Sequence, residues 1–143
     1  MAMVIKMNLA QFKDQLKATV DELQAATRPA AQAGAQIIYD RVKINVPVSE
    51  HAHMFHGTHQ VYGPYRPGNL KDSIYQVFSK DRSFKDVSTY HISWNFDEAP
   101  YGFMVEFGTS KAPAHSFIGR SIVETRSQVR EAMKQRYIAE VNK

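Results

Sequence analysis

The sequence predicts a single α+β domain in which a long N-terminal helix and a C-terminal helix pack on a small antiparallel sheet. Apolar residues recur every three or four positions near both ends of the chain, which is the helical period. Two short runs in the middle are rich in β-branched and aromatic residues, as strands are. A chain of 143 residues has room for one hydrophobic core.

The first helical region is predicted over residues 8–45, with Asn8 as its N-cap. An apolar stripe at helical spacing follows, made of Leu9, Phe12, Leu16, Val20 and Leu23. Pro29 either kinks one long helix or begins a second one. The small residues at 30, 31 and 33–35 allow another backbone to approach closely, and Pro47 ends the region.

Residues 46–68 are predicted to form a loop, because prolines and glycines punctuate the whole segment. Four of the six histidines fall in it: His51, His53, His56 and His59. Imidazole is a common zinc ligand, but Gly57 argues against a helix that would present the histidines together. We expect a polar, pH-sensitive surface loop and no metal site, and we expect that deleting residues 52–60 leaves the fold intact.

The sheet is predicted within residues 69–109, with strands over 73–79 and 89–95 joined by the charged link 80–86. Residues 103–107 form a third strand or a short helix, and the pattern does not distinguish the two. In a strand, Glu106 would point away from the face of its two neighbours. It is then either a solvated residue or a salt-bridge partner for Arg120 or Arg126 of a neighbouring subunit.

The C-terminal helix is predicted over residues 116–141, started by Ser116 or by a capping box of Ser121 and Glu124. Its predicted buried stripe consists of Ile118, Ile122, Val129, Met133 and Tyr137. Three basic residues line one flank of this stripe and two acidic ones the other: Arg126, Arg130 and Lys134 against Glu124 and Glu131. The charges are either incidental solvated groups or edges that meet in a ring of identical subunits.

Composition excludes several kinds of chemistry. The chain has no cysteine, so thiolate and disulfide chemistry are absent, and no apolar run is long enough to cross a bilayer. Neither a glycine-rich phosphate loop nor a nucleophile elbow occurs. We therefore predict no catalytic residue, no cofactor and no membrane contact. The net charge of +4 leaves a small nucleic-acid-binding module open as an alternative, with a histidine-dependent metalloprotein as another.

Three stretches in order along the chain resemble the tail-completion, or head–tail joining, proteins of long-tailed bacteriophages. The first is a long N-terminal helix that ends near Asn45-Val46-Pro47-Val48. The second is Gly68-Asn69-Leu70-Lys71-Asp72-Ser73-Ile74, which is similar to the family's step into its first strand. The third is Tyr101 to Thr109 with its Val-Glu-Phe-Gly-Thr core, followed by Pro113 to Ile118. The family lacks the segment that here separates Val48 from Gly68.

The resemblance implies a structural virion protein, assembled in the host cytoplasm, that caps the head-proximal end of the tail tube as a ring. Its partners would be copies of itself, commonly in a hexamer, the tail tube protein, the head connector, and genomic DNA that passes through without specific recognition. We expect the subunit interface to include Tyr101, Glu106, Phe107, Gly108, Thr109, Arg120, Arg126 and Arg130. The loop that carries His51, His53, His56 and His59 is expected to dock on the head-side partner or on a neighbouring subunit.

Overall fold

The computed structural model describes residues 8–143 and confirms the α+β class. Its elements are α1 (Leu9–Asn45), β1 (His53–His56), β2 (Val61–Tyr65), α2 (Asn69–Asp72), β3 (Ile74–Phe78), β4 (Tyr90–Trp94), α3 (Gly102–Phe107) and α4 (Ile118–Val141). The strands form two antiparallel pairs, β1 with β2 and β3 with β4. Within the described part of the chain, none of the helices combines the length and apolar character needed to span a membrane.

The first helix, α1, is a single helix of 37 residues that continues through Pro29. Asn8 caps it as predicted, because its side-chain oxygen accepts the backbone N–H of Gln11 at 3.1 Å. Proline removes one hydrogen bond from the helical ladder. Ala26 and Ala30, on either side of it, are both buried, so tertiary contacts hold the chain on the two sides of the missing bond.

The last helix, α4, lies antiparallel to the C-terminal half of α1. Near the start of α4, the Asn45 side chain donates to the hydroxyl of Ser121 at 2.9 Å. Further along, Gly34 faces Met133 so closely that a Cβ at position 34 would lie 2.7 Å from the Met133 Cγ. At this glycine of the run of small residues, the close contact is with side chains of α4 and not with its backbone.

The predicted buried stripe of α4 is wrong. Its members are half-buried or exposed, and Ser121 and Thr125 are the buried residues of the helix. These short side chains let the two helices come close. Each hydroxyl donates to the main-chain carbonyl one turn earlier, at Phe117 and Ser121 respectively, which removes the cost of burying it. The capping box is also wrong, since Ser121 lies inside the helix and Phe117 is the N-cap.

The segment predicted as a loop contains a β-hairpin. β1 pairs with β2 in a register that joins His53 to Tyr65 and His56 to Val61, with an irregularity between His53 and Phe55. Prolines and glycines obscured the strands because one proline, Pro64, lies within β2 itself. The hairpin packs on the core through His53 and Phe55, so the expectation that residues 52–60 can be deleted without loss of the fold is no longer tenable.

The hydrophobic core lies where α1, α2, the β3–β4 hairpin and the start of α4 meet. β3 and β4 pair in register from Ile74 opposite Trp94 to Phe78 opposite Tyr90. The buried residues of this core come from all parts of the described chain: Val42, Val46, Leu70, Ile74, Ala99, Tyr101 and Phe117. This junction also positions α3 and its link to α4, which carry half of the residues expected at a subunit interface.

Candidate assembly surface

Residues 102–107 form helix α3. Of the two structures that the sequence allowed for residues 103–107, a strand or a short helix, the helix is therefore correct. Gly108 ends it with a positive φ of 79°, a conformation that favours glycine. A Cβ at this position would also lie 2.7 Å from the backbone nitrogen of Ala114. Gly108 is therefore required by the tight return of the chain toward α4, and it presents no side chain to a partner.

Glu106 is buried, with 7% of its surface exposed, and its carboxylate caps the N-terminus of α4. Oε2 accepts the backbone N–H groups of Phe117 and Ile118 at 2.8 and 3.0 Å. Oε1 accepts the backbone N–H of Gly119 at 3.0 Å and the hydroxyl of Ser116 at 2.9 Å. Both exposed positions expected for Glu106, solvated or paired with a neighbouring subunit, are thus wrong.

Burial alone raises the pKa of Glu106, because a buried carboxylate loses hydration. The hydrogen bonds from Ile118, Gly119, Ser116 and Phe117 outweigh burial and hold the pKa below its ordinary value of 4.5. The charge also lies at the positive end of the α4 dipole, where an anion is stabilised. Phe117 has no side chain that could cap the helix, so a residue of the preceding helix takes over that role.

Phe107 and Thr109, on either side of Gly108, are exposed. The Phe107 ring is 76% exposed, the largest exposed fraction among the described large apolar residues. Thr109 stabilises its own turn, since its hydroxyl accepts the backbone N–H groups of Lys111 and Ala112 at 3.2 and 3.1 Å. Phe107 is the residue of this motif that presents apolar surface to the outside.

Tyr101, expected at a subunit interface, lies inside an aromatic cluster of its own chain. Its ring contacts those of His53, Phe55 and Tyr65, with centroids 4.7 to 6.3 Å apart. Its hydroxyl accepts the Asn69 side-chain N–H at 3.1 Å, and burial raises the pKa of this hydroxyl. The ring is buried, so Tyr101 anchors the hairpin to the core.

The four clustered histidines are separated by the hairpin. His53 and His56 point to opposite faces of β1, because side chains alternate along a strand. His53 is half-buried, whereas His56, His51 and His59 are exposed. Among residues 8–143, no three histidine or acidic side chains are close enough together to hold a metal ion.

The predicted basic and acidic flanks of α4 are only partly available to a partner. Arg120 pairs with Glu124 at 2.6 Å, and Glu124 also accepts the Asn45 amide at 3.0 Å. These contacts lower the pKa of Glu124, the Asn45 hydrogen bond most strongly. Arg126 and Arg130 are exposed, and the ion pairs found within residues 8–143 include neither.

The sequence predicted the apolar stripe on α1 but not its exposure. The stripe of five apolar residues on α1 exists, but each of its members is between 37% and 57% exposed. α4 has 24 residues against 37 in α1, and its last turns lie beside Thr27 and Ala30. Residues 9–23, which we call the overhang, therefore extend about 20 Å beyond α4. The sequence alone reveals the stripe, but it does not reveal that α4 ends before reaching it.

An apolar pocket of about 310 Å³ lies beside the hairpin, lined in part by Val48, His53, Leu70 and His115. Its described wall has two imidazoles and no carboxylate.

Comparison of the chain with protein-family models, with curated proteins and with solved structures finds no match. The assignment of a function therefore depends on the geometry above and on the sequence motifs.

Proposed function

We propose that this chain is a non-enzymatic structural protein of a bacteriophage virion, which joins head and tail as a ring of identical copies on the tail tube. The observation that carries the proposal is the overhang, an amphipathic helix whose apolar stripe is left exposed by the described residues 8–143. An isolated helix of this length is marginal in water, and helical stability comes mainly from packing of the apolar face. A surface of this kind suits a protein whose work is assembly.

The sequence motifs support the bacteriophage role, and the geometry gives a structural task to the residues of the last one. In the Val-Glu-Phe-Gly-Thr segment, Glu106 caps α4, Gly108 makes the tight return, and Thr109 stabilises the turn. Three of the five residues therefore build a fixed link between two helices. Phe107, which the fold leaves exposed, is free to contact a copy or a connector protein.

The charge of the chain suits a channel for DNA better than a DNA-binding site. Nucleic-acid affinity rises steeply with the number of phosphates that a protein contacts. A net charge of +4 spread over 143 residues favours passage of DNA without tight binding. In a ring, the tube protein and the head connector would bind the two faces, and genomic DNA would pass through the middle.

The proposal is tested by placing a stop codon in this reading frame within the genome that encodes it. Electron micrographs of the lysate should show filled heads and tails that are unattached or overlong. Supplying the intact chain from a plasmid should restore joined particles, and so should Asp81→Asn, which changes an exposed side chain between β3 and β4. Normal particles in the absence of the chain would exclude the proposal.

A further inference from the structure

Two apolar surfaces are left exposed within the part of the chain that the structure describes, and they complement each other. One is the stripe of the overhang, in which Leu9, Leu16 and Leu23 recur at intervals of seven residues. The other is a groove of about 230 Å³ beside α4, whose apolar lining is Ile38, Ile122, Val129 and Met133. We infer that the overhang of one copy docks in this groove of the next copy.

The spacing of the stripe identifies helical packing as the mode of contact. Leucines seven residues apart, with Phe12 between the first two, occupy the core positions of a heptad. Such a stripe packs against the surface of other helices. The groove offers that surface, because it lies between α1 and α4. A cavity of roughly 150 Å³ holds a benzene ring, so the groove has room for the side chain of Phe12 or Leu16.

The two surfaces also match in length. The groove extends from Ile122 to Met133 on α4, about 16 Å along the helix axis. The stripe, from Leu9 to Leu23, covers about 21 Å. The stripe is therefore long enough to lie along the whole groove, which has room for one of its large side chains.

The rim of the groove is basic, and one flank of the overhang stripe carries the acidic Glu22, whereas Lys13 lies on the other flank. Arg126 and Arg130 form the polar rim of the groove and have no ion-pair partner among the described residues. Glu22 occupies the heptad position that flanks the leucines of the overhang. In coiled coils, charged residues at this position form salt bridges to the partner helix and so determine which helix binds. Glu22 is likewise absent from the ion pairs of residues 8–143. Of the two acidic residues on the other flank of α4, Glu124 is already bonded within its own chain.

The contact is heterologous, because different surfaces of the two copies meet. A contact of this kind repeats from copy to copy and closes into a ring when the rotation allows. This inference rests on the proposed function for its premise that copies assemble. It adds which surfaces meet, and it excludes a two-fold pairing of overhang with overhang.

The absence of cysteine from the sequence makes a cross-linking test direct, because every thiol is then an introduced one. One variant carries Gln15→Cys on the overhang and a second carries Ile122→Cys at the groove. The two are mixed in the millimolar range with a short bis-maleimide. We expect a cross-linked dimer in the mixture and little in either variant alone. The matched control replaces Ile122→Cys by Ser127→Cys, an exposed position on the other flank of α4, and should give little product.

A charge exchange tests the same contact without thiols. Glu22→Lys should weaken association of the copies about fivefold, as expected for a surface ion pair that becomes repulsive. Adding Arg126→Glu and Arg130→Glu should restore it. Lys13→Glu, on the opposite flank of the stripe, serves as the control and should have less effect.

Two outcomes overturn the inference. Efficient cross-linking of Gln15→Cys with itself would show that two overhangs pair. A mixture that yields no dimer, while electron micrographs show rings, would place the contact elsewhere and leave the proposed function standing. The proposed function fails separately: if the mixture cross-links but the chain is dispensable for joining heads to tails, the contact stands and the virion role does not.

Discussion

The carboxylate of Glu106 accepts the backbone N–H of Phe117 at 2.8 Å, so the end of α3 supplies the N-terminal cap of α4. The two residues are 11 positions apart in the sequence. A capping box joins residues only three positions apart, so a search for local capping patterns does not detect this cap. The link fixes the direction in which α4 leaves the core. It also fixes the turn between the helices, from which Phe107 projects.

Replacing Glu106 should destabilise the fold with little change in the exposed surface. Glu106→Gln keeps the size of the side chain but loses the charge and turns an amide donor toward backbone donors, so we expect a loss of about 2 kcal/mol in the free energy of unfolding. Glu106→Ala leaves the donors uncapped and should cost about 3 kcal/mol. Urea unfolding measures both, with Glu131→Gln on the exposed face of α4 as a control expected to stay within about 0.5 kcal/mol.

The stabilisation by Glu106 should depend on pH in a defined direction. Its pKa in the folded chain is below the ordinary value of 4.5, so the folded state favours the charged form. The stabilisation is complete above 4.5 and is lost as pH falls through the pKa of the folded state. The unfolding free energy of the parent minus that of Glu106→Gln should be constant above about pH 6 and shrink in acid.

Other carboxylates with lowered pKa values do not disturb this comparison. Asp72, Glu124 and Glu140 are present in both proteins, so their protonation cancels in the difference. A difference that stays constant down to acid pH would contradict the role assigned to the Glu106 charge. A difference that grows in acid would contradict its sign.

The fold class could be predicted from the sequence because both long helices have a clear apolar period. The cap at Glu106 and the buried side of α4 could not. A period identifies apolar residues that share a face, but Gly34 and the hydroxyl residues Ser121 and Thr125 set which face packs closely. Small residues carry little hydrophobic signal, and their advantage is the close approach of two backbones.

The histidine segment was misjudged for a different reason. Pro64 and the glycines of this segment suggest turns, yet Pro64 lies within strand β2. Both strands of a two-stranded sheet are edge strands, where the loss of one backbone N–H donor is tolerated. The partners that hold the hairpin in place, Tyr101 above all, lie far along the chain. Contacts of this range are invisible to a local pattern.

His53 and His59 should respond differently to replacement by alanine. The His53 ring contacts the Tyr101 ring edge-on at 4.7 Å, so His53→Ala should lower the free energy of unfolding by about 1 kcal/mol. His59 is exposed at the hairpin tip, and His59→Ala should have an effect below about 0.5 kcal/mol. Thermal unfolding of the two variants measures the contrast. Equal effects would contradict the placement of His53 against the core.

Leu16 and Val42, both on α1, should separate assembly from folding. Val42 is fully buried, and Val42→Ala should cost about 2 kcal/mol of unfolding free energy in the single chain. Leu16 is 54% exposed, and alanine is the better helix former, so Leu16→Ala should cost less than about 1 kcal/mol. Association of the copies should instead weaken tenfold or more, since burying a leucine side chain at a contact contributes about 1.5–3 kcal/mol. Chemical unfolding and analytical ultracentrifugation measure the two quantities. If the Leu16→Ala chain associates normally, the overhang is not an assembly surface. If Leu16→Ala loses as much unfolding free energy as Val42→Ala, the overhang is covered within its own chain.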